Sequence, residues 1–508
     1  MELELDRTQL SGYETMLDTT VCQEETMEMI VPDACPDILR ICDTEGTACL
    51  KSKESQEGRV ELTGTARAAV LYLPDGTEGM RRLEVAIPFS CSAEGAQVTS
   101  GCTVIACPWI QAAETRLLNP RKVLVRIQIA VSVQVYAPVS EELCAGVSEP
   151  ESAGVEQLVE PCQLYQVSAV QEKPFTFADD VMISGGKPEA EELLKSRVSL
   201  RCNESKVIGS KLIFKGEAML QLLYRAAEGA LCTTDYVLPF SQIMEVNGVG
   251  EDCDCEVQVV LTDTECRLDG SDGRTISVAL GLLAQATVWE TRSLELLTDL
   301  YSTAYQLEAD TRPCSLKQLA DRGIKNQTVR EIIETGMQAK SVSDTYVRMG
   351  PVTQRREGER LELSVEANVT ILYQAEDDTL SAVSRTLRVP CTLDVGEGAE
   401  CACRCGVPGE IFAVPSSSGI EVRFQVDIQY LAYTRRQMIS VSGVHLDENG
   451  VRDTAGKPSI VLRMVAGGER LWDIAKAYGT TAQDILQAND LSEDALPAGQ
   501  LLLIPRKR

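Results

Sequence analysis

The stretch GTARAAVLY at residues 64–72 occurs in altered form twice more, as GEAMLQLLY at 216–224 and as VEANVTILY at 365–373. Each copy has an alanine in its third position and ends in Leu-Tyr. The closing residues Tyr72, Tyr224 and Tyr373 lie 152 and 149 residues apart. A period of this size predicts a duplicated domain, because the repeats of solenoids are only a few tens of residues long.

Each copy alternates between apolar and more polar positions, as a β-strand that is buried on one face does. Successive strand side chains point to opposite faces, whereas a helix would mix these positions around its circumference. One apolar and one polar face are typical of an antiparallel sheet packed on one side. The apolar positions are Ala66, Ala68, Val70 and Tyr72, then Ala218, Leu220, Leu222 and Tyr224, then Ala367, Val369, Ile371 and Tyr373.

A long alternating strand closes each copy, at residues 123–135, 276–288 and 420–432. Tyr136, Trp289 and Tyr433 follow directly, on the opposite face of the strand. Thirteen residues exceed the usual strand length, so we expect a bulge or bend that lets one strand serve two sheets. The sequence therefore predicts a mainly β protein with three repeated antiparallel β-sandwich or barrel-like domains.

A small module with the order β-α-α-β is predicted after these repeats, at residues 459–506. Residues 461–465 and 501–504 are the predicted strands. Leu471, Ile474 and Tyr478 share one face of a helix, and we expect Leu471, Trp472 and Tyr478 to pack in the core of the module. Gly479 ends that helix, and the Thr481 hydroxyl begins a second one by capping it.

These patterns divide the chain into segments whose boundaries we predict from linker composition. The stretch at 315–337 predicts a helical insert in the third repeat, because its apolar residues have helical spacing: Leu316, Leu319, Ile324, Val329, Ile332 and Ile333. The segments are an N-terminal part expected to pack loosely (1–24), repeat 1 (25–140), an acidic linker (141–164), repeat 2 (165–292), repeat 3 with a helical insert near 315–337 (293–442), a second linker (443–458) and the module (459–506).

The net charge of −28 argues against nucleic acid and anionic membrane surfaces as partners. Residues from 459 onward carry six basic and six acidic side chains, so the negative charge lies in the repeats. We expect the neutral module to bind independently of that acidic body. The N-terminal MELELDR has no signal-peptide pattern, and no apolar run is long enough for a transmembrane segment, so a cytoplasmic protein is expected.

The chain has nineteen cysteines, an odd number, which favours free thiols over a disulfide scaffold. Two clusters, Cys253/Cys255 and Cys401/Cys403/Cys405, have C-x-C spacing, whereas metal sites usually use C-x2-C pairs or added histidines. Small buried strand residues, a metal site and redox sensing remain alternatives for them. We predict no metal site and no cofactor.

Sequence patterns also predict that the protein is not an enzyme. The one histidine, His445, lies beside a polar stretch and is expected at the surface, so we expect neither a Ser-His-Asp catalytic triad nor a Cys-His dyad. P-loop, Rossmann and HExxH patterns are missing from the sequence. We therefore predict no catalytic residue.

The C-terminal module closely resembles a LysM domain. Residues 468–481 fit its pattern G-[DE]-x-L-W-D-I-A-x-x-Y-G-[TS]-[TS], and Asn489, Leu491 and Gly499-Gln500 follow at the expected places. The resemblance implies binding of N-acetylglucosamine glycans, usually peptidoglycan, between two loops. Arg470 and Glu469 stand where threonine and aspartate are usual. By motif position, the groove residues are Gly468, Glu469, Arg470, Leu471, Leu491, Pro497, Ala498 and Gly499.

The repeats resemble the SPOCS domain of spore-coat proteins, through VPDACPDILRI at 31–41, the Leu-Tyr hairpin and the closing strand. SPOCS repeats before one LysM domain resemble a family of spore-coat morphogenetic proteins. The resemblance implies a non-enzymatic scaffold in the mother-cell cytoplasm at the forespore surface. The implied partners are the coat-basement sporulation ATPase, other coat proteins, and peptidoglycan or its lipid-linked precursor. The alternative is a LysM-mediated peptidoglycan binder or cell-wall hydrolase accessory.

Overall fold

The computed structural model describes residues 3–76, 79–227, 229–250, 252–270, 272–452, 458–491 and 498–506. Three groups of strands follow one another with the same order. The first group is β1 (Leu5–Ile30), β2 (Ile38–Gln56), β3 (Arg59–Pro74), β4 (Arg81–Glu94), β5 (Thr103–Asn119) and β6 (Lys122–Val147). The second is β7 (Val155–Met182), β8 (Ala190–Ile208), β9 (Lys211–Ala226), β10 (Leu231–Glu245), β11 (Cys253–Leu268) and β12 (Thr275–Ser302). The third is β13 (Tyr305–Ile333), β14 (Ala339–Glu357), β15 (Arg360–Ala375), β16 (Leu380–Asp394), β17 (Glu400–Gly406), β18 (Phe412–Ser416) and β19 (Gly419–Val451).

Each group forms a sandwich of two antiparallel sheets, which confirms the mainly β prediction. One sheet has the order β2-β3-β4, and its counterparts are β10-β9-β8 and β14-β15-β16. On the other side the long first and last strands pair with each other and with a shorter edge strand, as in β1-β6-β5, and β1 and β7 join the first two groups in one six-stranded sheet. Side chains from both sheets pack together in one apolar cluster in the first and third groups and in two clusters in the second.

The recurring strands β3, β9 and β15 are central in their sheets, and their predicted apolar faces are buried. All twelve alternating positions, from Ala66 to Tyr373, are at most 3% exposed. The first residue of the motif is glycine in two copies because an aromatic ring crosses it. A Cβ on Gly64 would clash with the Phe89 ring, and one on Gly216 with the Phe240 ring. In the third copy Val365 pairs with Val389, which leaves room for a side chain.

A β-bulge lies at the same place in all three groups, as expected from the strand length. The expectation that the closing strand serves two sheets is wrong, because β6, β12 and β19 each stay within one of the described sheets. The pairing register shifts beside Tyr136, Trp289 and Tyr433, where the partner strand carries one extra residue. Beyond the bulges the three pairs of long strands, β1/β6, β7/β12 and β13/β19, continue and pack against one another. Their shared apolar core forms a stem, whose buried residues include Leu10, Leu143, Cys162, Leu296, Cys314, Leu316 and Met438.

The stem explains where the structure departs from the predicted segments. Residues 5–24, expected to pack loosely, belong to β1 and pair with β6. Residues 141–164 hold the end of β6, a short 3-10 turn (Pro150–Ala153) and the start of β7. β19 continues to Val451, within the second predicted linker, of which residues 453–457 lie outside the described part.

The helical insert predicted near 315–337 is wrong, because this segment forms most of β13 and pairs with β19 as far as Ile333. A bulge between Leu319 and Asp321 interrupts the two-residue alternation and so imitates helical spacing. Ile324 and Ile332, which had been assigned to the helical face, are exposed on the strand.

The three sandwiches also contact one another, and the leucine of each Leu-Tyr pair lies in this contact. Each tyrosine lies in the core of its own sandwich. Each preceding leucine, Leu71, Leu223 or Leu372, lies in one common buried cluster with Met80 and Leu194. The leucines therefore join the repeats, while the tyrosines stabilise each repeat from within.

A buried charged cluster lies at matching positions of the repeats. Asp43, Lys195 and Asp344 are separated by the same 152 and 149 residues as the motif tyrosines. Lys195 Nζ lies 2.5 Å from Asp43 Oδ2 and 2.9 Å from Asp344 Oδ2, and only 3% of its side chain is exposed. Arg197 pairs with both Glu45 and Asp344. Each repeat thus contributes a charge that the others neutralise.

The adjacent positive charges, rather than burial, decide the protonation of two carboxyl groups in this cluster. Burial by itself raises the pKa of Asp344, but the adjacent Lys195 and Arg197 charges outweigh it and lower that pKa. The pKa of Glu45 is lowered against the same effect of burial, chiefly by Arg197 and then by Lys195. Asp344 and Glu45 are therefore ionised at neutral pH, and their stabilising contribution is lost only as the pH falls through their lowered pKa values.

We expect Lys195→Met to lower the free energy of unfolding by about 3–5 kcal/mol, because it leaves buried carboxylates without their cation. Urea unfolding followed by circular dichroism measures this change. The matched control is Lys215→Met, since Lys215 forms an exposed pair with Glu204 and exposed pairs contribute little. Equal unfolding midpoints for the two variants would contradict the assigned role of Lys195.

Candidate functional site

The C-terminal module has the predicted β-α-α-β order. It consists of β20 (Ile460–Met464), α1 (Leu471–Tyr478), α2 (Ala482–Ala488) and β21 (Leu501–Pro505), with β20 and β21 antiparallel. Gly479 ends α1 in the left-handed conformation with φ of 66°. The Thr481 hydroxyl accepts a 2.9 Å hydrogen bond from the Asp484 amide and so caps α2.

The two predicted groove loops lie side by side. The Gly499 amide donates a 2.8 Å hydrogen bond to the Val465 carbonyl, and the Val465 amide donates a 2.9 Å bond to the Gln500 carbonyl. Gly468 and Gly499 both have φ of +83°, with open space where a Cβ would stand. Ala498 is exposed beside them, so the loops present accessible backbone to a ligand.

Two charged groove residues already have partners within the module. Glu469 accepts a 2.9 Å hydrogen bond from the Ala466 amide and pairs with Arg463, which holds the first loop in place. Arg470 bonds both carboxylate oxygens of Asp473, at 3.0 and 2.9 Å, and this hydrogen bonding lowers the pKa of Asp473. Arg470 is exposed, so this ion pair forms a charged rim that a ligand would meet.

The remaining predicted groove residues differ in position. Leu471 is buried in the core of the module, and Leu491 is half-buried against that core. Pro497 lies outside the described residues. Of the predicted groove residues, Gly468, Arg470, Ala498 and Gly499 are therefore exposed, while Leu471 belongs to the core of the module.

A second face of the module docks on the end of β12. Trp472 Nε1 donates a 2.8 Å hydrogen bond to Asp299 Oδ2, and Lys476 Nζ lies 2.6 Å from Asp299 Oδ1. The Tyr301 ring packs edge-on against Trp472, with centroids 4.9 Å apart. The Tyr301 hydroxyl donates a 2.7 Å bond to the Thr480 carbonyl. The module is therefore held against the stem.

This contact differs from the sequence expectations in two ways. Trp472, expected in the core of the module, is half-buried and links that core to Tyr301 of the body. The neutral module was expected to act independently of the acidic body, yet Lys476 pairs with a body carboxylate. Asp299 and Tyr301 were missed because they continue an ordinary strand, and no local pattern distinguishes them.

Among the described residues, no three His, Cys, Asp or Glu side chains are arranged to hold a metal ion. His445 is exposed, and its Nε2 lies 3.0 Å from Asp310 Oδ2. Within the same described ranges, neither helix is long and apolar enough to span a bilayer.

Comparison with known families identifies the modules. The family model described as SipL, SPOCS domain, matches residues 37–118 and 189–269, and the LysM domain model matches residues 464–505. The chain therefore carries two SPOCS domains, in repeats 1 and 2, and a C-terminal LysM domain. Both are non-catalytic binding modules, and together they support a sporulation-related role with cell-wall or peptidoglycan binding. No curated protein matches this chain.

We expect Asp299→Ala to loosen the dock of the LysM domain, because Trp472 Nε1 and Lys476 lose their acceptor. Hydrogen bonds to a charged group contribute roughly 1.5–3 kcal/mol each, so amide exchange at residues 471–481 should rise at least about tenfold. Hydrogen–deuterium exchange with mass spectrometry measures this. Asp473→Ala, which removes a carboxylate paired only within the module, serves as control. Unchanged exchange in Asp299→Ala would show that the contact does not hold the module.

Proposed function

We propose that this protein is a non-enzymatic adaptor of endospore coat assembly, tethering the coat-basement ATPase to the forespore surface through its SPOCS and LysM modules. Its proposed place is the mother-cell cytoplasm at that surface. The family matches support the sporulation-related part of this role. The ATPase and the other coat proteins enter through the resemblance to spore-coat morphogenetic proteins.

One observation carries the adaptor role. The LysM domain is held against the stem by Trp472, Tyr301 and Asp299, while its groove loops remain exposed. A ligand in the groove is therefore positioned relative to the three sandwiches and not merely linked to them by a flexible chain. Fixing two binding surfaces in one geometry raises the effective concentration of the second partner after the first has bound.

The repeats provide surface rather than a cleft for chemistry. The apolar faces of their strands are buried in the three sandwich cores, and the leucine cluster closes the contact between sandwiches. The exposed faces carry the excess of acidic side chains that the net charge of −28 requires. Such a surface favours partners with basic patches and disfavours nucleic acid.

The second candidate function is that of a peptidoglycan-binding protein or a cell-wall hydrolase accessory. The LysM match and the accessible backbone of Gly468 and Gly499 favour it. In this case the groove would hold an N-acetylglucosamine glycan, and the repeats would be spacers or docking sites for a hydrolase.

Removing residues 459–508 tests the adaptor role in a sporulating host. We expect the coat to form but to be mislocalised, because the body would lose its groove while keeping the three sandwiches. Fluorescence microscopy of a tagged coat protein measures this, with the full-length chain as reference. Normal encasement of the spore by the shortened chain would contradict the proposal.

A pull-down on purified peptidoglycan tests the second candidate. The glycan-binding candidate predicts that the full-length chain sediments with the peptidoglycan. It also predicts that Ala498→Trp lowers the bound fraction at least about tenfold, because the indole fills the groove. Ala477→Trp, at an exposed position of α1, is the matched control and should bind normally. If the wild-type chain does not sediment, the glycan-binding candidate is wrong and the adaptor role is unaffected.

A further inference from the structure

Two thiols of the third repeat lie close together on one face of an edge strand. Cys401, Cys403 and Cys405 alternate along β17 and pack against the core of the third sandwich. The Cys401 and Cys403 sulfurs are 3.6 Å apart and in hydrogen-bonding contact. Both residues are half-buried, whereas Cys391 on the neighbouring sheet is buried. The first two cysteines are therefore adjacent and partly accessible.

The backbone spacing allows these two sulfurs to bond. Residues i and i+2 of a strand lie about 6.6 Å apart at Cα, and disulfides span Cα distances up to about 6.8 Å. The bond would be at the upper end of this range and hence strained, which makes a disulfide easier to reduce. Among the described strands β17 pairs only with β19, so its backbone can contract locally between the two cysteines to close the bond without disturbing a second ladder.

We propose that Cys401 and Cys403 form a reversible dithiol–disulfide site that is oxidised by low-molecular-weight disulfides. The Cys401 thiolate attacks one sulfur of the oxidant, forming a mixed disulfide and releasing one thiolate of the small molecule. The Cys403 thiolate then attacks the Cys401 sulfur and releases the second. Two protein thiols lose two electrons and two protons, and the small disulfide is reduced to two thiols.

Cys401 is the attacking sulfur because its surroundings favour the thiolate. A hydrogen bond from the Cys403 thiol lowers the pKa of Cys401, and the Arg356 charge acts in the same direction. Burial raises the pKa of Cys405 to about 12, which keeps that thiol protonated. In the other C-x-C pair, burial raises the pKa of both Cys253 and Cys255. The two pairs therefore share their spacing but not their reactivity.

The opposite face of β17 joins the repeats. The Arg404 side chain, next to Cys403, pairs with Glu256 of the second repeat and donates to Gln134 of the first. A disulfide between Cys401 and Cys403 would distort the backbone directly before this arginine. The oxidisable pair of cysteines therefore lies next to a contact that involves all three repeats.

Peptide mapping of the full-length protein tests the proposal. The reduced protein is incubated with oxidised glutathione, and the remaining thiols are alkylated. Trypsin and a glutamate-specific protease then release residues 401–404, which hold only Cys401 and Cys403. We expect this peptide to appear unalkylated as an internal disulfide, and to take up two alkyl groups when dithiothreitol precedes alkylation. The same digest releases Cys253 and Cys255 together as residues 252–256, which should stay alkylated.

Two single variants check the order of the steps. Cys403→Ser should accumulate a glutathione adduct on Cys401, whereas Cys401→Ser should leave Cys403 alkylated. Circular dichroism confirms that each variant is folded. A doubly alkylated 401–404 peptide in oxidised wild-type protein would overturn the proposal, and so would a bond from Cys401 to Cys391 or Cys405.

Discussion

The buried contact between Lys195 and the carboxylates of two other repeats is the constraint on which the rest of the structure depends. Isolated buried charges are costly, so this cluster is stable only when all three repeats are in place. Asp43 and Asp344 stand at equivalent positions and would repel each other without the lysine between them. The repeats are therefore not interchangeable, because the second one supplies the cation that the first and third require.

The packing of the three sandwiches against one another determines where the stem and the LysM domain lie. The leucine cluster and the charged cluster bring the repeats together, and the pairs of long strands pack into one stem beyond the bulges. The end of that stem carries Asp299 and Tyr301, which hold the LysM domain. The orientation of the LysM domain is thus linked, through continuous β-structure, to the contact at the centre of the repeats.

Much of the fold could be predicted from local periodicity. The buried faces of β3, β9 and β15, the presence of a bulge along each closing strand, and the order of elements in the LysM domain could all be predicted from the sequence. The error at 315–337 has a physical cause, since a bulge shifts the phase of a strand and leaves apolar residues at helical spacing. The predicted linkers failed similarly, because the stem strands are acidic on their exposed faces and resemble loops in composition.

The amino-acid sequence by itself determined the period of the repeat, the buried face of each strand and the presence of a LysM module, because these depend on neighbours a few residues apart. Only the tertiary structure decided that Asp43, Lys195 and Asp344 meet, that Trp472 docks on Tyr301, and that Cys401 rather than Cys253 has a favourable thiol partner. These contacts depend on the packing of strands across the whole chain and on the accompanying burial, which changes the charge state of a side chain without leaving a local pattern.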